Sequence, residues 1–241
     1  MAEPSAFTRF YSNSQAAQDL KTVFQKITDQ SCPYHYNFHM HTHCSDGKLS
    51  PDALMEQACN LKLKGFAITD HHTIKGYRQA CKWIENWRWT HPSSWSSRQR
   101  QDSLPKLWCG VEITAELLDV DVHILGYAFQ TDHAAINSYL QGGAPSGRER
   151  QAKFVIQAIQ AAGGIAVLAH PARYRRSPEE LIPAVAALGI DGVETYYAYD
   201  HPTEWRPTPG KTERVQTLAV DHALLSTCGT DSHGLTLTRR I

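Results

Sequence analysis

No CxxC pair occurs anywhere in this chain of 241 residues, so the usual cysteine-rich structural zinc clip has nothing to form from. The six cysteines (Cys32, Cys44, Cys59, Cys81, Cys109 and Cys228) are scattered, a pattern that points to reduced thiols rather than a disulfide scaffold. No apolar run approaches the ~20 residues of a membrane span. The opening stretch MAEPSAFTRF also lacks the apolar core of a signal peptide. A cytoplasmic protein with no membrane association is therefore expected. An excess of either charge is missing too: 24 Lys and Arg balance 24 Asp and Glu. With no basic stripe, long duplex nucleic acid is disfavoured as a partner. Internal repeats and low-complexity tracts are absent.

Strand and helix patterns alternate along the chain. Ala16, Leu20, Val23, Phe24 and Ile27 fall at helical spacing over residues 15–29, predicting an amphipathic helix packed on the outside of the body. This places a helical extension at 1–33 before a main domain at 34–241. Strands are expected at 36–40, 65–69, 107–114, 121–129, 165–170, 191–199 and 224–230. Helices are expected at about 50–64, 74–89, 148–162, 177–189 and 211–223. Ser50-Pro51 and the Ser177/Glu180 capping box mark two of the helix starts. Residues 90–106, Ser-rich and broken by two prolines, read as a surface loop, and about 130–163 has room for a small helical insertion. Seven mostly apolar strands, mostly separated by helices, indicate an α/β protein with a sheet buried on both faces.

What the chain has in abundance is histidine, 13 in all. Many fall with carboxylates at or near predicted strand ends: His39, His41, Asp46, His71, Glu112, His123, His170, Asp231 and His233. In a barrel of parallel strands the carboxyl ends share one face, and residues remote in sequence meet there. An open dinucleotide-binding sheet would instead need a Gly-rich turn after a strand, and none has the right spacing. The barrel is the better expectation. His39 and His41, at i and i+2 on a strand, point to one side and can grip one ion together. Glu112 can bridge two ions through its two oxygens. Nine groups are too many for one ion and suit two or three. Mixed imidazole and carboxylate ligation favours Mn, Zn or Fe over Mg. Ions about 3.5–4 Å apart can activate a bridging water and clamp the oxygens of a displacement at phosphorus. Phosphoester hydrolysis is the reaction class that follows.

Plain structural roles suffice for His35, His91, His133, His201 and His222, each taken singly. His43 follows the His-x-His pair but lies in the loop beyond it, and Cys44 reads as a small spectator thiol. Glu194 is set aside as a buried, paired carboxylate of the barrel interior. The tryptophans, including Trp83 and Trp87 at helical spacing, read as core and loop anchors rather than base-stacking platforms.

The ordered motifs HMHTHCSDG, AITDHH, GVEIT, VHILG, LAHPARY and GTDSHG, spanning about Tyr36 to Gly234, resemble those of the polymerase-and-histidinol-phosphatase (PHP) family. Within it they are most similar to stand-alone phosphoesterases such as nucleoside-bisphosphate phosphatases and short-RNA exonucleases. The resemblance implies a distorted seven-stranded (βα)7 TIM-like barrel with two or three divalent metal ions. It implies one ion held by His39, His41, Glu112 and Asp231. A second would share Glu112 and take His123 and His170. A third would use Asp46, His71 and His233, with Asp46 standing where some members have histidine.

Arg173 matches an arginine that contacts the substrate phosphate. His72 replaces an acidic residue common after the TDH motif, which changes the charge behind the ligands; a metal-bound water, His43 or His72 could protonate the leaving oxygen. The resemblance also implies hydrolysis of a phosphomonoester or terminal phosphodiester by metal-activated hydroxide, on a small phosphorylated substrate or a short oligonucleotide end. The alternatives are a histidinol-phosphate or sugar-phosphate phosphatase and a non-catalytic PHP binding module. The sequence leaves the oligomeric state open.

Overall fold

The computed structural model describes residues 13–91, 104–200 and 202–241. Most of the expected loop at 90–106, together with His201, lies outside the described residues. The seven expected strands are present: β1 (Tyr36–Asn37), β2 (Gly65–Ile68), β3 (Lys106–Leu117), β4 (Val120–Tyr127), β5 (Ile165–Leu168), β6 (Gly192–Tyr196) and β7 (Leu225–Cys228). They form one sheet in sequence order. The sheet curls so that its two edges meet: Phe38 N donates to Cys228 O (3.1 Å), Asp231 N to His39 O (2.8 Å) and His41 N to Ser232 O (3.0 Å). The result is a nearly closed, distorted barrel.

The helices are α1 (Asn13–Phe24), α2 (Pro51–Asn60), α3 (Lys75–Thr90), α4 (Ala134–Asn137), α5 (Ala152–Ala161), α6 (Pro178–Ala187) and α7 (Pro209–Asp221). Ser50 caps α2 by accepting from Ala53 N, and Ser177 and Glu180 form the expected capping box on α6. Residues 130–163 carry α4, two short 3₁₀ turns and α5. No helix among the described residues is long and apolar enough to cross a membrane.

Three expectations need correction. The first concerns β4, which runs antiparallel to both neighbours rather than joining a fully parallel barrel. Only Leu118 and Asp119 separate the paired Leu117 and Val120, and both take positive φ (51° and 61°). A two-residue connection of this kind can join only antiparallel strands. The second concerns β1, whose regular ladder covers only two residues. The chain from Phe38 to His41 stays extended along the seam through the bonds just named and one Met40–Ser232 bridge.

The third concerns α1, which closes one end of the barrel instead of lying on its outside. Leu20, Phe24 and Ile27 share a buried cluster with Phe38, Leu125, Tyr127 and Val167. The Phe24 ring stands edge-on to Phe38 (4.9 Å between centroids) and Tyr127 (5.6 Å). Lys106 at the start of β3 pairs with Asp19, and Lys21 with Asp191 just before β6. The helix therefore sits at the amino ends of the strands, leaving the carboxyl ends free. Outside the barrel a second core joins β3–β5 to α5, α6 and α7, and a third lies under α2 and α3.

Candidate metal centre

All nine residues singled out from the sequence come to the carboxyl end of the barrel, around Glu112. That side chain is 1% exposed, and its two oxygens face different partners. Oε2 stands 3.0 Å from His39 Nε2, 3.0 Å from His41 Nε2 and 3.6 Å from His71 Nε2. Oε1 stands 2.7 Å from His123 Nδ1 and 3.4 Å from His170 Nε2. Asp231 Oδ1 completes the first group, 3.4 Å from His39 Nε2 and 3.3 Å from His41 Nε2. Asp46 Oδ2 lies 3.2 Å from His233 Nε2 and 3.6 Å from His71 Nε2.

Among the described residues, three sets of donor atoms are compact enough to hold an ion: His39/His41/Glu112/Asp231, His41/Asp46/His71/His233 and His71/Glu112/His123. The first is the set implied for one ion. The second is the implied third set with His41 added. In the last, His71 stands where His170 was expected, while His170 still faces Glu112 Oε1.

The chemistry of the donors fits a divalent cation. Neither ring nitrogen of buried His41 makes a hydrogen bond of acceptable geometry, although Nε2 is surrounded by carboxylate oxygens. Burial alone would lower the His41 pKa; hydrogen-bonding distance to Asp231 and Glu112 outweighs it and raises the pKa to about 9. His39 is likewise held well above its ordinary value against burial, by Glu112, Glu194 and Asp231. Burial, with His41 and His123 adding to it, pushes His71 down to about 4. The Glu112 carboxyl, against the cost of burial, is held well below the usual range by His39 and His123. The raised histidines and the lowered Glu112 carboxyl mark a buried site that calls for positive charge, which a divalent cation would supply.

Backbone geometry at the site is unusual for non-glycine residues. His72 (φ 54°), His170 (φ 27°) and Asp231 (φ 52°) all occupy the left-handed region. Such strain persists where surrounding contacts impose it. Here Gly142 N donates to His72 O, His170 N to Glu194 Oε2 (2.9 Å) and Asp231 N to His39 O. His72 Nε2 reaches Thr114 Oγ1 at 3.1 Å, behind the cluster. Arg173 NH1 donates to Asp231 Oδ2 (2.8 Å) and Tyr197 Oη (3.1 Å). His43 is exposed, with the Cys44 thiol 3.7 Å from its ring. His133 caps α4 through Ala135 N, and His91 stacks on Trp87.

Several further residues, among them Glu194, expected only as a buried and paired carboxylate, support the cluster. Glu194, fully buried on β6, accepts from His39 Nδ1 (3.0 and 3.2 Å) and from His170 N. It thereby fixes which His39 nitrogen faces Glu112. Gly229 makes room for this pair, since a Cβ there would lie 2.2 Å from His39 Cβ and 2.8 Å from Glu194 Oε1. Asp70 gathers the 42–46 loop, accepting from Thr42 N (2.7 Å), Thr42 Oγ1 and Ser45 Oγ (2.9 Å). Tyr197 Oη and Arg240 Nε donate to Asp231 Oδ2 (2.7 and 2.9 Å). Asp70 ends the second predicted strand beside His71, but a strand-end position does not say that it would anchor a loop instead of holding an ion. Glu194 and Tyr197 sit inside an apolar stretch and carry no motif signal, and neither does Arg240.

Known proteins resemble this chain in sequence or in fold. The 5'-3' exoribonuclease Rnm of Salmonella typhimurium is 23% identical over 279 aligned positions, covering 86% of this chain and 88% of that protein. The 5'-3' exoribonuclease of Haemophilus influenzae is 28% identical over 213 positions, covering 66% and 78%. Among solved structures, a Bifidobacterium adolescentis protein named as a metal-dependent phosphoesterase superposes with a TM-score of 0.65 at 26% identity, covering 86% of this chain and 93% of that one. A Chromobacterium violaceum amidohydrolase shares the fold, with a TM-score of 0.64 at 18% identity over 83% and 88% of the two chains. The PHP domain model matches residues 37–169, more than half of the sequence and most of the cluster just described, and the chain belongs to the PHP domain family.

Proposed function

We propose that this protein is a metal-dependent phosphoester hydrolase acting at the 5' end of a short RNA or on a nucleotide-like phosphate. One observation carries the reading: Glu112 offers Oε2 to His39 and His41 and Oε1 to His123 and His170. That division of one buried carboxylate suits a bridging ligand between two ions. His39, His41, Glu112 and Asp231 would hold the first ion; Glu112, His123 and His170, with His71 alongside, would hold the second. Asp46, His71 and His233 would hold a third. Mn, Zn or Fe matches the imidazole-rich donor set. Bound there, such ions supply Lewis acidity toward water and toward the phosphoryl oxygens.

The chain's own residues do the rest. Glu194 and Asp70 fix ligand orientation. Arg173 keeps Asp231 Oδ2 occupied and leaves its other N–H groups for a phosphate, in a planar fork that lysine does not offer. The choice of an RNA 5' end over other phosphoesters is supported by the names of the two exoribonuclease relatives.

The test is a metal-supplemented turnover screen of 5'-phosphorylated short RNAs, nucleotides, bisphosphates and sugar phosphates. Elemental analysis of protein purified without chelator runs beside it. At least two transition-metal ions per chain and release of 5' nucleotides are expected, with turnover lost in His41→Ala and Asp231→Asn. One ion or fewer per chain, or unchanged turnover in both variants, refutes the proposal. Preference for a histidinol or sugar phosphate would move the substrate assignment without touching the site.

A further inference from the structure

Asp231 receives more positive partners than one carboxylate requires. Its Oδ2 accepts Arg173 NH1, Tyr197 Oη and Arg240 Nε at 2.8, 2.7 and 2.9 Å. Its Oδ1 is left to face His39, His41 and His233 at 3.4, 3.3 and 3.4 Å. Asp231 itself is 2% exposed, yet the arginine side chains remain 34% and 22% exposed. Each guanidinium has spent one nitrogen on the carboxylate. Arg173 NH1 also reaches Tyr197 Oη at 3.1 Å, and because the fork carries five N–H donors both arginines keep donors beyond these contacts.

The delivery of Arg240 is specified by several independent contacts. After His233 the chain leaves the barrel and comes back. Leu237 is fully buried, donating its N–H to Gln57 Oε1 (3.1 Å) and accepting from Asn37 Nδ2 at its carbonyl (3.0 Å). The Arg240 carbonyl then accepts His233 N at 2.7 Å, closing the excursion against one of the cluster histidines. The closure is tight at Gly234, where a Cβ would stand 3.0 Å from the Ile241 backbone.

Two like-charged guanidiniums drawn to one oxygen repel each other. A second one is superfluous if holding Asp231 is the whole task. An anion with several oxygens, placed between the arginines and the cluster, would use the unspent donors and offset the surplus charge.

We propose that Arg240 is a second phosphate-contacting residue: with Arg173 it forms an arginine pair, anchored on Asp231 Oδ2, whose remaining N–H groups take the non-bridging oxygens of the substrate phosphoryl group. The proposal rests on the phosphoester reading above. Its test is titration of manganese-loaded protein with inorganic phosphate by calorimetry, for the parent, Arg240→Ala and Arg240→Lys. Metal content and Michaelis parameters for an aryl phosphate are measured alongside.

Arg240→Ala should keep its manganese, bind phosphate about tenfold more weakly and raise KM more than it lowers kcat, because a charge-assisted fork is lost. Arg240→Lys should recover part of the affinity, having the charge without the fork. If the alanine variant fails to fold, the lysine variant carries the test, with a phosphate affinity weaker than the parent's as the expected result. Phosphate affinity unchanged in the variants overturns the proposal. So does loss of manganese in step with phosphate, which would make Arg240 only a support for Asp231. Parent protein that binds phosphate but hydrolyses no phosphoester would refute the proposed function, while the titration would still decide the role of Arg240.

Discussion

Replacing Glu194 with Gln probes the cluster without disturbing its shape. The carboxylate accepts from His39 Nδ1 through both oxygens and from His170 N through Oε2, at 0% exposure. An amide of the same size has one acceptor oxygen and one NH2. Whichever way it turns, a buried donor is left facing a donor. An unmet buried hydrogen bond costs about 1–3 kcal/mol. Loss of the group that orients a ligating histidine typically weakens metal affinity about 10–100-fold, which is about 1.4–2.7 kcal/mol and agrees in size. Glu194→Gln is therefore expected to fold and to hold manganese about 10–100-fold less tightly in chelator competition. Glu194→Ala, which strips both donors of their partner, should lose more. Turnover should recover at high manganese if the loss lies in binding. Affinity within about twofold of the parent would refute the argument that Glu194 sets the orientation of His39.

Three further outcomes follow from other parts of the molecule. The chelated protein should melt highest near pH 6.5. His41, raised to about 9, contributes stability that is present below the unfolded value of 6.5 and lost as pH climbs through 9. His71, lowered to about 4, withdraws stability as pH falls from 6.5 toward 4, because the unfolded chain binds that proton more readily. A melting temperature that is flat or still rising at pH 9 would contradict this. Gly229→Ala should destabilise by about 3 kcal/mol or more, since its methyl would sit 2.2 Å from His39 Cβ with fully buried neighbours; a parent-like denaturant midpoint would show that the packing gives way. Tyr127→Phe should cost about 1–2 kcal/mol in urea unfolding by orphaning the Phe38 carbonyl that its hydroxyl reaches at 2.8 Å, and no loss would mean that water replaces it.

Legibility in the sequence followed the physics of each feature. Apolar runs between helical patterns made the seven strands readable, and alternation along a strand made His39 and His41 a pair. Both survive although the regular β1 ladder is short, because the seam with β7 keeps that stretch extended. The direction of β4 was not readable: Leu118-Asp119 lacks the Asn-Gly or Asp-Gly signature of a tight hairpin, yet adopts positive φ at both positions. The face presented by α1 was readable and its destination was not, since an apolar stripe does not say whether it meets the flank or the end of a barrel. Glu194 looked like a satisfied interior carboxylate. Its partners are a histidine 155 positions away and a backbone N–H, which no local pattern encodes.

The barrel seam has a consequence for folding. The hydrogen bonds that close it are made by the backbones of His39, His41, Asp231 and Ser232, the stretches that also bring three candidate ligands together. A cation held by His39, His41 and Asp231 would be a removable cross-link between segments 192 positions apart, nearly the full span of the chain. The entropy of closing a loop grows only with the logarithm of its length, so such a clasp costs little more than a short one and restrains almost everything. Stripped of metal, the molecule should loosen first along this line, with the amides of His41 and Asp231 exchanging before those at the centre of β3 and β4.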